Sequence, residues 1–454
     1  MAFLVGGANT LDDAAYEINN SLRFNSSDGP KLQITTGSNS STNGRRKFTL
    51  SVWFKICQDI NDDQTIMGCN DGGHLGHIRI NNDMTLNVQI SASGSDVVTT
   101  NRKFRDHSAW YHLVVAQDTE QSTAANRLKI YVNGALEDSF SAAAYTAEDT
   151  DTSWNSNTEL SIGRDVNGDD DPFDGYMSEF VLIDGEQLTP SSFGETDTNS
   201  GIWKPKQISG LTFGTTGFYL EFQTASDLGN DTSGNNNDWT SVNLATTNQA
   251  ADAPSNNWCT GNPLYVPTSG APSDWEDGAT VATNRNTTNN WGGEATFRMS
   301  SGKWYWEVKV GANMGNGANF GIFTDGQHPY NGGTGTAWYS NQGLKQIDST
   351  TSSYGATYTD DDILSFAYDA DNGILVAYKN GVSQGTLFSG GAGKIYVPSF
   401  GIANGSLQQD FFNFGNSAAT IASGNSDGNG YGNFEYAVPS GYYALNTKNL
   451  AEFG

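Results

Sequence analysis

Residues Asp360 to Gly381 hold two apolar runs of strand length, Ile363-Leu364-Ser365-Phe366-Ala367-Tyr368 and Ile374-Leu375-Val376-Ala377-Tyr378. Asp371-Asn372-Gly373 separates them, and Asn380-Gly381 ends the second. Such pairs tolerate positive φ and close hairpins whose twist suits the flanking strands, so the segment predicts a β-meander. The first half repeats the theme. Phe48-Thr49-Leu50-Ser51-Val52-Trp53-Phe54-Lys55 alternates apolar and polar positions, as a half-buried strand does. Trp110-Tyr111-His112-Leu113-Val114-Val115 follows, then Leu128-Lys129-Ile130-Tyr131-Val132 before the turn Asn133-Gly134. No long segment has helical periodicity, and there are no heptads or short repeats. The pattern predicts an all-β chain without a fibre shaft.

The second half resembles the SPRY (B30.2) family. Gly302-Lys303-Trp304-Tyr305-Trp306-Glu307-Val308 is similar to its opening strand and Phe320-Gly321-Ile322 to a core strand. Tyr396-Val397-Pro398-Ser399-Phe400, Phe411-Phe412-Asn413-Phe414-Gly415 and Pro439-Ser440-Gly441-Tyr442 resemble its closing segments in family order. The first half resembles the laminin-G-like, concanavalin-A-like jelly roll. The resemblance rests on Trp53-Phe54-Lys55, Trp110-Tyr111-His112-Leu113, Tyr131-Val132-Asn133-Gly134, Ile162-Gly163 and Phe173-Asp174-Gly175-Tyr176, with Phe218-Tyr219-Leu220-Glu221-Phe222 as a late strand. Both imply antiparallel β-sandwiches in tandem. The expected division is an arm at residues 1–18, a sandwich at 19–224, a polar connector and linker at 225–257, and a second sandwich at 258–454. Trp53, Trp304, Trp306 and Phe414 are expected in the cores.

The start Ser21-Leu22-Arg23-Phe24-Asn25 and the connector Asp231-Thr232-Ser233-Gly234-Asn235, with the SPRY-like end, resemble predicted structural proteins of marine bacteriophages. That resemblance implies a virion surface protein, tail fibre or tail-associated, that binds host glycan or other virion proteins. The alternative it leaves open is a capsid decoration or cement protein that touches no host molecule. A bacterial carbohydrate-binding protein and a polysaccharide hydrolase are further readings. A homo-oligomer in the particle is expected.

Composition narrows the partners. Charged residues make up 16%, against about 25% in typical domains. The net charge is −27, from 23 basic and 50 acidic residues. Nucleic-acid backbones and anionic membranes call for clustered Lys and Arg, so neither is an expected partner. The three cysteines, Cys57, Cys69 and Cys259, do not suggest a disulfide framework and are expected as buried thiols. The opening residues do not read as a signal peptide, and no stretch reaches the length of a transmembrane helix. These features fit synthesis in a host cytoplasm and release by lysis within a virus particle.

Chemistry-bearing patterns are few. Asp165, Asp169, Asp170, Asp171 and Asp174 crowd one loop. Such carboxylates repel unless water, hydrogen bonds or a cation compensates, and hard oxygen ligands suit Ca²⁺. The spacing of Asp165, Asn167 and Asp169 starts like an EF-hand, but Asp170 and Tyr176 stand where that loop needs glycine and glutamate. A rim calcium site and a solvated acidic loop therefore both stand. His74 and His77 lack zinc partners at suitable spacing. Glu179 and Asp184 do not form the carboxylate pair a glycosidase needs. No nucleophile elbow or phosphate loop occurs, so no enzyme is expected. For ligand contact the candidates are Trp154 and the loop aromatics Tyr330, Trp338 and Tyr339, because rings among small polar residues suit sugars or peptides. The other reading has Trp338 and Tyr339 covering their own core.

Overall fold

A computed structural model describes residues 16–35, 42–58, 62–70, 75–90, 96–154, 159–166, 170–265, 271–272, 274–283, 291–312, 317–324, 335–402 and 408–454. One compact unit ends at Asn256 and the other begins at Asn257. Among the described residues no helix is long and apolar enough to cross a membrane.

In the first unit, strand Lys47–Ile56 lies between Tyr111–Asp118 and Gly175–Asp184 in an eight-stranded antiparallel sheet. Ser21–Phe24 and Gln249–Ala250 continue that sheet at one edge. A second eight-stranded sheet contains Gln64–Asn70, Glu159–Ile162 and Lys31–Thr35, and ends on Thr240–Val242. Phe48, Leu50, Val52, Phe54 and Ile56 point into the core, with Leu32, Ile66, Ile78, Leu113, Leu160 and Trp154. All three cysteines are buried and none is in a disulfide.

The alternation of Phe48–Lys55 predicts one wet face, yet both faces are dry. Ser51, Trp53 and Lys55 are buried as well. Ile18 and Ala253 pack on Trp53, with Trp110 and Trp203 alongside. Phe193 and Tyr219 cover Val114, Val181 and Ile183. The cover comes from segments remote in sequence, so periodicity within the strand could not register it. Where the sequence reading places a connector and linker, at 225–257, the structure places two short paired strands and a buried aspartate, Asp252.

Among the described residues, the second unit has a seven-stranded and an eight-stranded sheet. The meander forms as expected: Ile363–Asp369 pairs with Ile374–Lys379, which pairs with Val382–Ser389. Asn380 and Gly381 close its second turn at φ 47° and 73°, the left-handed pair that a tight hairpin requires. Trp304, Trp306 and Phe414 are buried. Phe320 and Phe400, from one sheet, meet Phe412 of the other at 6.2 and 5.0 Å between ring centres.

Candidate functional site

The acidic loop neutralises part of its charge internally. Asp174 is fully buried, and its Oδ2 accepts from the Ser26 amide at 3.1 Å and the Ser26 hydroxyl at 2.9 Å. Arg79 donates to Asp171 at 2.8 Å and pairs with Asp63 at 2.8 Å. Burial pushes the Asp171 carboxyl up, and Arg79 works against that. Asp165 is nearly buried, Asp170 is exposed, and Asp169 lies outside the described residues. Among the described residues, no group of three or more His, Cys, Asp or Glu side chains is placed to hold a metal ion. His74 lies outside the described residues. His77 is buried with Nε2 2.8 Å from Asn87 Oδ1, and burial pushes its pKa down to about 4.

The expected aromatic contacts lie inside. Trp154 is wholly buried, its ring 5.5 Å from Phe48, and a Cβ on Gly76 would sit 2.8 Å from its Nε1. Trp338 and Tyr339 are wholly buried too. They belong to strand Thr336–Ser340, which is paired at both edges, and as successive residues they point to opposite faces, both of which are covered. Trp338 donates to Ser399 Oγ at 3.3 Å; Tyr339 packs on Tyr354 and Tyr358 and donates to the Ala356 carbonyl. None of the three offers a ring to a ligand, which corrects that expectation. Tyr330 lies outside the described residues.

Two further groups look catalytic at first sight. Ser51 Oγ is 2.9 Å from His112 Nε2. Trp203 Nε1, which can only donate, points at His112 Nδ1 at 2.9 Å. Nδ1 therefore holds a lone pair, and the neutral ring carries its proton on Nε2 and donates to the serine. That is the wrong tautomer for drawing a proton from Ser51. Burial also pushes the His112 pKa down to about 3, and the ring is stacked on Trp53 at 4.6 Å. Glu179 sits at a strand irregularity with φ 50°, and accepts from the hydroxyls of Tyr16 at 3.1 Å and of Tyr219. Burial raises its pKa to about 7. Asp184 accepts instead from the amides of Thr215 and Thr216 at 3.0 and 3.1 Å, so the two carboxylates serve separate hydrogen-bond sets.

A third buried carboxyl, Asp410, lies in the second unit. Its Oδ1 accepts from the Gly311 amide at 3.1 Å and Gln408 Nε2 at 2.7 Å, while its Oδ2 and the buried Gln408 Oε1 have no partner among the described residues. Burial lifts its pKa from 3.8 to about 7; Asp360 adds to the shift, and Tyr358 also faces it. Below pH 3.8 folded and unfolded chains both carry the proton and no penalty arises. As pH rises towards 7 the unfolded chain ionises first, so stability falls by up to about 1.4 kcal/mol per pH unit. Above 7 the penalty is constant. Asp410→Asn replaces the acid with a group that is neutral at every pH. Its amide supplies a donor where the carboxylate has none. Denaturation of the variant between pH 5 and 8 should lose this dependence in the second unit and show higher stability at pH 8. An unchanged slope would remove Asp410 as the cause.

Exposed aromatic surface is found on the outer face of the meander. Tyr378, Tyr431 and Tyr442 are partly buried and pack with Val438 at the rim of a cluster formed by Trp258, Tyr305, Ala367, Phe434 and Ala444. Tyr436 crosses the hairpin turn, where a Cβ on Gly381 would lie 2.6 Å from its ring. Lys303 Nζ sits 5.9 Å over Tyr442 and Lys448 Nζ 5.7 Å over Tyr431. None of the four hydroxyls bonds another described residue. The buried Glu307 carboxylate ties the face together by accepting from the Tyr305 hydroxyl and from the Glu435 and Tyr436 amides, each at 2.9 Å. Alternation of Ile374, Val376 and Tyr378 with Leu375 and Ala377 signals Tyr378. Tyr431, Tyr436 and Tyr442 lie in a glycine-rich tail that has no period to follow.

Comparison with known proteins agrees with this architecture. Residues 27–192 match the family model of the concanavalin A-like lectin/glucanases superfamily, in its laminin G form. Residues 303–416 match the model of the SPRY domain. No curated protein matches the chain in sequence. Among solved structures, the SPRY domain of human HERC1 is 16% identical, with 29% of this chain and 87% of that chain covered and a TM-score of 0.26. A native heptameric SAP-like pentraxin from Limulus polyphemus is 17% identical, with coverage of 38% and 80% and a TM-score of 0.28. The TRIM65 PSpry domain is 13% identical, with coverage of 34% and 92% and a TM-score of 0.26. Modules of these two kinds point to a binding role, and the chain carries a concanavalin A-like domain of the laminin G type followed by a SPRY domain.

Proposed function

We propose that this chain is a non-enzymatic recognition protein of the virion exterior, and that it contacts host glycan through the tyrosine face of its SPRY domain. The observation that carries the reading is that face: four partly buried rings on one surface, whose hydroxyls bond no other described residue. Tyrosine suits a sugar because it offers apolar area and a polar tip at little entropic cost. The buried groups with catalytic potential support it indirectly, since His112 and Glu179 are committed to hydrogen bonds inside the fold. The likeness of the Asp231–Asn235 connector to phage structural proteins supports the virion setting. Contacts of this kind are weak singly, and many copies on a particle would raise them by avidity.

The test has two parts. Purified particles are probed for the protein by mass spectrometry, and the full chain is applied to a glycan array. Tyr378→Ala combined with Tyr442→Ala should lower array binding at least tenfold while both units still unfold as cooperative transitions and the first unit keeps its thermal midpoint. Absence from particles ends the virion reading. Presence on particles without glycan binding favours a decoration protein that stabilises a shell.

A further inference from the structure

The connector Asp227–Trp239 and the strand that follows it line a groove of about 410 Å³ on the first unit. It lies outside the segment that matches the concanavalin A-like model. Leu228 and Trp239, both almost wholly buried, form its base; Ser226, Asp227, Thr240 and Ser241 are exposed at its rim. The base is held firmly. The Trp239 ring packs edge-on against Phe218 at 4.8 Å, and its amide donates to the Gly229 carbonyl at 2.8 Å. The rim is held by backbone: the Asp227 amide donates to the Thr224 carbonyl at 2.9 Å, and Thr240–Val242 pairs with Lys31–Thr35.

The side chains of that rim are unspent. Neither the Asp227 carboxylate nor the hydroxyls of Ser226, Thr240 and Ser241 bond another described residue. Among the described residues no lysine, arginine or histidine lines the groove, and the chain carries a net charge of −27. Anionic ligands are therefore repelled and cationic ones drawn in. A carboxylate accepts and cannot donate, whereas serine and threonine do both. The complementary ligand has one cationic donor, several hydroxyls and a small apolar face.

We propose that this groove binds an aminosugar with a free ammonium group. Asp227 receives the ammonium, the three hydroxyls bond the ring hydroxyls, and Leu244 and Ala245, which also line the groove and are partly or fully exposed, border its C–H face. This rests on the glycan-binding reading above but uses a different domain, so the two can fail separately.

The probes are glucosamine oligomers and their N-acetylated counterparts, because acetylation removes the charge and keeps the ring. The full-length chain should bind the free-amine oligomers at least tenfold more tightly than the acetylated ones, with affinity falling as salt is raised. Asp227→Asn, which changes charge and little else, should abolish the preference; Thr240→Ala with Ser241→Ala should weaken both probes. All three positions lie outside the internal side-chain hydrogen bonds, so thermal midpoints should hold. Equal binding of the two probes, no binding of either, or an Asp227→Asn variant that behaves as wild type would overturn the groove. Acetylated binding lost only in the Tyr378→Ala, Tyr442→Ala variant would do the same while leaving the tyrosine face standing.

Discussion

Asp252→Ala should destabilise the first unit by about 3–5 kcal/mol, the cost of leaving one member of a buried ion pair alone. Lys55 Nζ and Asp252 Oδ2 are 2.8 Å apart, and both side chains are fully shielded from water. The other oxygen, Oδ1, accepts from Trp110 Nε1 at 2.9 Å, so the variant also leaves the indole N–H without that acceptor. Lys55 stands 5.8 Å from the centre of the Tyr176 ring, a contact too weak to replace a carboxylate. Scanning calorimetry of the full chain, with its two units as separate transitions, should show only the first moving. Lys55→Met with Asp252→Leu should recover most of the loss, because apolar replacements of similar volume avoid the desolvation penalty. A loss below about 1 kcal/mol for Asp252→Ala, ordinary for an exposed site, would mean that water reaches Lys55.

Trp306→Ala should cost the second unit about 3–5 kcal/mol, since a large cavity opens where collapse is limited. The ring is 1% exposed and stacked on Phe366 at 5.3 Å. Its strand pairs with Ile363–Asp369 along its whole length and with Gln409–Asn413 at one end, so the backbone has little freedom to close the gap. Here the second calorimetric transition moves and the first stays. Movement of both together would argue that the two units unfold as one.

The strands and hairpin turns were legible because their cause is local. Asn380-Gly381 states its turn type, and Trp304 and Trp306 alternate onto one face of their strand. The contact residues were less legible because exposure is decided by remote cover. Ala337-Trp338-Tyr339 is a continuous apolar run between polar neighbours, a pattern that fits a strand buried on both faces. Of the two readings of Trp338 and Tyr339, ligand contact and cover for their own core, the burial of both rings agrees with the second. Trp154 has no periodic neighbours at all, and only the opposing Phe48 and Gly76 reveal its place. The connector is similar. Its Asp, Ser, Gly and Asn residues announce turns, but not that Asp231 gathers the amides of Tyr219, Ser233 and Asn237 at 2.8 to 2.9 Å. That single carboxylate turns a polar stretch into a fixed corner and so positions Trp239.

The pairing of strand Ser21–Phe24 has a consequence for biosynthesis. It completes its pairing on Gln249–Ala250, and the Ser21 hydroxyl donates to the Asp252 carbonyl 231 residues further on. At about 5–20 residues per second, a ribosome needs on the order of ten to fifty seconds to cover that distance. Throughout that interval the nascent chain presents an open strand edge and a lysine without its counter-ion. Open edges invite pairing between chains. Synthesis at lower temperature, or with chaperones supplied, should therefore raise the yield of soluble first unit, whereas truncation before residue 249 should send it into aggregates.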